Sequence, residues 1–179
     1  MKETQEKTQP NEHTGDRQIV ALNLGDEVYG IDIAIIHTVI MPQSVTAVPK
    51  TPKYVKGVMN LRGRILPIID LRTRFDLPPL KAEEQKSVRV VIVDVEGISA
   101  GLIVDAVSEV LTLPSESIEP QSGLIASKES EFITGIGRIQ RANAKGEEED
   151  QLIMLLDVLE ALTATTQDLN KIKKLQQAA

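Results

Sequence analysis

A shift of 71 positions lays Ile19 to Pro49 over Val90 to Pro120 without a gap, and this self-similarity constrains the fold more than any other feature of the chain. Gly30 falls on Gly101, Val20 on Val91, Val39 on Val110 and Pro49 on Pro120. The apolar positions between them agree as well: Ile19 with Val90, Leu22 with Val93, Leu24 with Val95, Ile33 with Val104, Ile36 with Val107 and Ile40 with Leu111. After an insertion the match resumes, with Ile68-Ile69-Asp70-Leu71 resembling Leu155-Leu156-Asp157-Val158. Such self-similarity is the mark of a duplicated unit, here two small β subdomains of one design.

The repeated segments read as strands. Short apolar runs (Ile19 to Leu22, Val28 to Ile33, Ile35 to Met41, Val45 to Val48, Val55 to Leu61) are each bounded by Gly, Pro, Asp or Asn, with Gly25-Asp26 and Glu96-Gly97 as hairpin tips. The 35 Ile and Val residues favour extended backbone, because branching at Cβ suits a pleated surface. Residues 1–16 carry no large apolar side chain after Met1 and predict a disordered polar tail. The first subdomain is then expected over 17–80 and the second over 87–157, with loops at Asp76 to Lys86 and Asn143 to Asp150. Asp70 and Asp157 each follow an apolar strand and suit helix N-caps. Over 158–179, Leu159, Leu162, Leu169, Ile172 and Leu175 keep helical spacing. Packing on the chain's own strands is favoured for this helix over binding a partner.

Composition excludes much chemistry. There is no Cys, and His13 and His37 are the only imidazoles. A thiol nucleophile, a cysteine-bearing zinc site, a Ser/His/Asp triad and a multi-histidine metal centre are all disfavoured, and no cofactor is expected. Glu147-Glu148-Glu149-Asp150 lacks EF-hand spacing and reads as solvated charge. The net charge of −6 opposes general attraction to nucleic acid or anionic membrane. No apolar run approaches the length of a membrane span, and the first residues lack the apolar stretch of a signal peptide, so a cytoplasmic location is expected.

Asn60-Leu61-Arg62-Gly63 puts a guanidinium on a sharp turn, with Gly63 taking a dihedral that a side chain would oppose. Arg62 is there either to dock a partner or to satisfy local carbonyls. Arg62, Arg64, Arg72 and Arg74 are close in sequence and raise an oligonucleotide-binding barrel as an alternative, but only Tyr54 and Phe75 lie near them as stacking platforms. Gly135-Ile136-Gly137 lacks the remaining glycine of a dinucleotide fingerprint and reads as a tight strand approach or bulge. Asp32, Asp70, Asp94, Asp105 and Asp157 stand singly at strand borders and suit turn and cap roles. His37, in an apolar run, reads as a packed or edge histidine.

Together, Tyr29-Gly30-Ile31-Asp32-Ile33, Thr51-Pro52, Tyr54-Val55-Lys56-Gly57, Asn60-Leu61-Arg62-Gly63, Pro67-Ile68-Ile69-Asp70-Leu71-Arg72, Gly101-Leu102-Ile103-Val104-Asp105-Ala106-Val107 and Leu156-Asp157 make the chain resemble bacterial chemotaxis coupling proteins of the CheW type, as a single domain over 17–162. The resemblance implies a mainly β fold: two five-stranded SH3-like barrels around a shared core, with a C-terminal helix. It implies no catalysis, but a scaffold linking the cytoplasmic tips of chemoreceptors to the regulatory domain of a histidine kinase. The alternative under the same resemblance is an adaptor domain excised from such a kinase or from a coupling protein fused to a receiver domain. The family's receptor-facing groove maps onto Ile36, Thr38, Gly57, Arg62, Gly101 and Val110, while the kinase-binding residues do not transfer individually. Two departures stand out. Thr38 occupies the place of a common family Glu, and the chain continues from Thr163 to Ala179.

Overall fold

The computed structural model describes residues 15–121, 131–163 and 166–177; all but the last two residues of the expected polar tail lie outside this range. β1 (Arg17–Leu24) and β2 (Glu27–Asp32) form the first hairpin. β6 (Arg89–Val95) and β7 (Ile98–Val104) form its counterpart 71 residues later. Both turns fall where expected, with Gly25 at φ 61° in one, and Glu96 and Gly97 at 49° and 77° in the other. Between these hairpins lie β3 (Ile36–Ile40), β4 (Val55–Leu61), β5 (Arg64–Asp70) and the short helix α1 (Leu71–Arg74). The second copy continues with β8 (Ala106–Leu113), β9 (Ile118–Pro120), β10 (Ile133–Ala142), β11 (Glu148–Leu156), α2 (Val158–Leu162) and α3 (Thr166–Gln177).

Two sheets result, ordered β8-β1-β2-β11-β10-β9 and β3-β6-β7-β5-β4. They correspond strand for strand, except that the second has only a single bridge, Thr46 to Val58, where the first has β9. The run Val45 to Val48, expected as a strand, contributes no more than that bridge, flanked as it is by Pro42 and Pro49.

The sheets do not follow the expected division into 17–80 and 87–157. β3 leaves the first copy to pair with β6, and β8 leaves the second to pair with β1. The exchange is symmetric and covers an edge of each two-stranded ribbon with a strand from the other half, so neither half closes a sheet alone. Sequence repetition identifies equivalent segments; it does not say which copy each segment joins.

Each sheet encloses a small core, one formed by Ile19, Leu113, Ile153 and Leu155, the other by Met59, Leu66, Ile68, Val90 and Ile92. A third and larger cluster lies between the sheets, including Leu22, Leu24, Ile31, Phe75, Val91, Val93, Leu102 and Phe132. This is the expected shared core. The duplicated glycines explain how sheets this small close tightly. A Cβ on Gly30 would lie 2.6 Å from Cδ1 of Ile19, and one on Gly101 would lie 2.6 Å from Cδ1 of Ile68. Each glycine faces the parallel partner strand at the same register position, opposite Leu155 and Ile68 respectively.

The strand-to-helix corners are repeated too. Asp70 accepts hydrogen bonds from Arg72 N and Thr73 N and caps α1; Asp157 accepts from Glu160 N and caps α2. The backbone N–H groups of these aspartates donate to the carbonyls of Tyr54 (2.8 Å) and Phe132 (2.6 Å). Asp32 likewise caps a 3-10 turn over Ile33–Ile35.

The C-terminal segment is two helices rather than one. The Oγ1 of Thr163 donates to the carbonyl of Leu159 at 2.7 Å, and α2 stops there, where threonines interrupt the apolar stripe. α3 then docks on β5 and β7. Ile172 is 1% exposed within the shared core, a burial that stabilises the folded state by about 2 kcal/mol, and Leu175 packs at its margin. The helix therefore packs on the chain's own sheets, as favoured above. The expected acidic loop is also shorter than its composition suggests, because Glu148 to Asp150 already belong to β11.

Candidate functional site

The turn between β4 and β5 has two residues. Arg62 and Gly63 take φ 51° and 84°, the double positive φ of a type I′ turn, whose twist suits antiparallel strands. Asn60 Oδ1 accepts from Gly63 N at 2.9 Å and holds the loop from within. Arg62 is thus fixed at the tip, in a left-handed conformation that costs an L side chain about 1 kcal/mol. It is exposed and makes no hydrogen bond or ion pair among the described residues.

Beside it lies a depression of about 290 Å³. Thr38 and His37 of β3 line one side, with Arg62 and Arg64 on the hairpin and Asp94 and Ser99 on β6 and β7. Leu66 and Ile92, both 3% exposed, contribute an apolar surface. The β3–β6 register slips between Ile36, opposite Val93, and Thr38, opposite Ile92; His37 is the extra residue of this bulge and is exposed. Ser99 joins the polar wall, accepting from Arg64 Nη2 at 2.9 Å and donating to Asp94 Oδ2 at 3.0 Å. The depression thus sets two guanidinium groups and one carboxylate beside an apolar surface.

Of the expected site residues, Thr38 and Arg62 share this depression. Ile36 is half-buried against the shared core at the start of β3. Gly57 and Gly101 are buried. Gly57 has φ 143°, and a Cβ there would collide with the backbone carbonyl of Thr46. Val110, 54% exposed, lies on β8 at the edge of the other sheet and does not line the Arg62 depression. Ser99 was not expected at a site, and Asp94, expected in a turn or cap role, instead accepts from the Ser99 hydroxyl. They face each other across β6 and β7, equidistant from the Glu96-Gly97 turn, and that spacing was the available signal.

Of the four clustered arginines, Arg62 and Arg64 share the depression while Arg72 and Arg74 are engaged elsewhere. Arg64 serves Ser99. Arg72 pairs with Asp105, whose carboxylate also accepts from Gly25 N at 2.7 Å, and Arg72 Nε donates to the carbonyl of Pro78 at 2.8 Å. Arg74 lies between the Tyr54 and Phe132 rings, 4.4 and 4.5 Å from their centroids, and its Nε donates to the carbonyl of Ala161 at 2.9 Å. Gly135 sits at a bulge equivalent to that at Gly57, with a Cβ there 2.9 Å from the Glu119 carbonyl, so Gly135-Ile136-Gly137 is a close strand approach. Among the described residues, no group of three His, Asp or Glu side chains is placed to hold a metal, and no helix is long and apolar enough to cross a membrane.

Two interlocked β-sheets with capped corners carry an exposed, arginine-bearing turn between β4 and β5. Comparison with known proteins supplies the class. The model of the CheW-like domain matches residues 18–166. A probable chemotaxis protein CheW of Rhizobium etli is 34% identical over 86% of this chain and 91% of its own length. Chemotaxis protein CheW of Klebsiella aerogenes is 34% identical over 84% of each chain. The crystal structure of the scaffolding protein TtCheW from Thermoanaerobacter tengcongensis superposes with a TM-score of 0.70 at 34% identity, covering 83% of this chain and 93% of that one. The chain belongs to the CheW family and is a chemotaxis scaffold.

Proposed function

We propose that this protein couples the cytoplasmic tips of transmembrane chemoreceptors to the regulatory domain of a histidine kinase, working in the cytoplasm and recruited to receptor arrays. The observation that carries the reading is Arg62: a side chain without a hydrogen-bond or ion-pair partner among the described residues, held in a left-handed conformation at the rim of a depression with an apolar surface. Backbone strain kept at an exposed position is a reason to look for function there. Thr38 lines the same depression and Ile36 lies two residues before it on β3. Gly57 and Gly101 contribute by letting the strands beneath approach closely. Val110, exposed at the edge of the other sheet, is a separate contact point in this reading.

Coupling of this kind needs no chemistry of its own. Holding receptor and kinase on one rigid body raises their effective concentration, and a receptor that favours one kinase state shifts the population. Oligonucleotide binding is less well supported, since Arg64, Arg72 and Arg74 are each engaged within the fold. The test is reconstitution of a receptor cytoplasmic fragment with its kinase, reading autophosphorylation with and without this protein. Arg62→Glu is expected to lose most receptor-dependent activation at limiting protein while melting as the wild type does. Undiminished activation would overturn the assignment of Arg62, and failure of the wild type to change kinase output would overturn the coupling role.

A further inference from the structure

α3 has no α-helical counterpart in the first copy, where only a 3-10 turn over Glu84–Ser87 follows α1, and all of it beyond Thr166 lies outside the segment matched by the family model. Near its C-terminal end the helix touches the wall of the Arg62 depression. Gln176 Nε2 donates to the backbone carbonyl of Ser99 at 2.7 Å. Ser99 lies in β7 two residues before Gly101, where the parallel ladder with β5 begins, so it sits just beyond that ladder. It is 4% exposed, and its hydroxyl links Arg64 to Asp94. Arg64, Asp94 and Ser99 line the same depression as Arg62 and Thr38.

We propose that α3 is a positioning element for the Arg62 docking face: Gln176 anchors Ser99, and Ser99 holds Arg64 and Asp94 in the wall of the depression. The proposal rests on the receptor-docking reading above and makes the C-terminal extension part of that site. A long side chain such as arginine loses rotamer freedom when a partner fixes it, and a face ordered in advance loses less on binding. α3 is held independently by Ile172 in the shared core, so a change at Gln176 alters the anchor without undocking the helix.

Two variants of the full chain test this. Gln176→Leu removes the donor and keeps the apolar stem, whereas Gln176→Lys restores a donor of similar reach. The readouts are the Arg64 Nε–H resonance, which needs no partner, and binding of a receptor cytoplasmic fragment and of the kinase regulatory domain. Gln176→Leu is expected to shift the Arg64 resonance and weaken the receptor fragment about fivefold, the worth of one hydrogen bond, with kinase binding unchanged. Gln176→Lys is expected to restore the resonance and the receptor affinity. An unchanged Arg64 resonance in Gln176→Leu, equal weakening of both partners, or a lysine variant no better than the leucine one would each overturn the proposal. If the wild type binds no receptor fragment, the docking reading fails on its own, and the Arg64 resonance still decides whether Gln176 positions that side chain.

Discussion

The two copies agree wherever the fold needs them to and differ where a surface has been specialised. Their shared features are steric and local: the packed glycines Gly30 and Gly101, the bulge glycines Gly57 and Gly135, and the corner caps Asp70 and Asp157. Their hairpins differ. β4 and β5 meet in a two-residue turn bearing Arg62, while β10 and β11 run longer and close through Asn143 to Glu147, whose Asn143 Oδ1 accepts from Lys145 N and Glu147 N at 2.9 and 3.0 Å. Arg138 and Arg141 of the longer hairpin pair with Glu119 and Glu109, whereas Arg62 pairs with nothing among the described residues. Repetition therefore marks the framework, and its loss marks the candidate site.

The bulge glycines give the sharpest break between the halves. At Gly57 a Cβ would overlap the Thr46 carbonyl, and φ is 143°; at Gly135 the nearest atom is the Glu119 carbonyl at 2.9 Å, and φ is not positive. Gly57→Ala should cost more than about 4 kcal/mol or prevent folding, and Gly135→Ala about 1–3 kcal/mol. Urea unfolding of both variants checks this, and equal losses would mean that the copies tolerate side chains alike.

Next in size is the asymmetric helix. Ile172→Ala leaves a cavity in the shared core and should destabilise the protein by about 3 kcal/mol in the same assay. A loss below about 1 kcal/mol would mean that α3 adds little to that core. Arg74 sits where the copies meet: Tyr54 and Phe132, the rings that sandwich it, hold equivalent corner positions. Arg74→Met keeps the stem but leaves the Ala161 carbonyl without its donor, for an expected loss of about 2 kcal/mol. If Arg74→Met melts like the wild type, the sandwich is not what joins the halves.

Much of this framework was legible because it is local. Alternation, turn residues and caps act within a few positions, so the hairpin tips, Asp70 and Asp157 could be read directly, and the 71-residue offset announced the duplication. The exchange of β3 and β8 was not legible, since equivalent strands satisfy the same pattern in either sheet. The site was half legible. Arg62 advertises itself beside Gly63, but Ser99 and Asp94 enter only through cross-strand pairing, and Gln176 reaches Ser99 from 77 positions away.

The smallest expected effect separates framework from function most cleanly, because it compares two turns of one type. Arg62-Gly63 and Glu96-Gly97 both place a non-glycine residue at positive φ ahead of a glycine. Asparagine tolerates that conformation better than arginine or glutamate. Arg62→Asn and Glu96→Asn should therefore each stabilise the protein by about 0.5 kcal/mol, raising Tm by about 1–2 °C. On kinase output they should part: Glu96→Asn leaves receptor-dependent activation intact, while Arg62→Asn loses it despite the firmer fold. If both variants stay active, the strain at Arg62 is merely tolerated, as it is at Glu96; if Arg62→Asn alone fails, that strain is kept for a guanidinium that the partner needs.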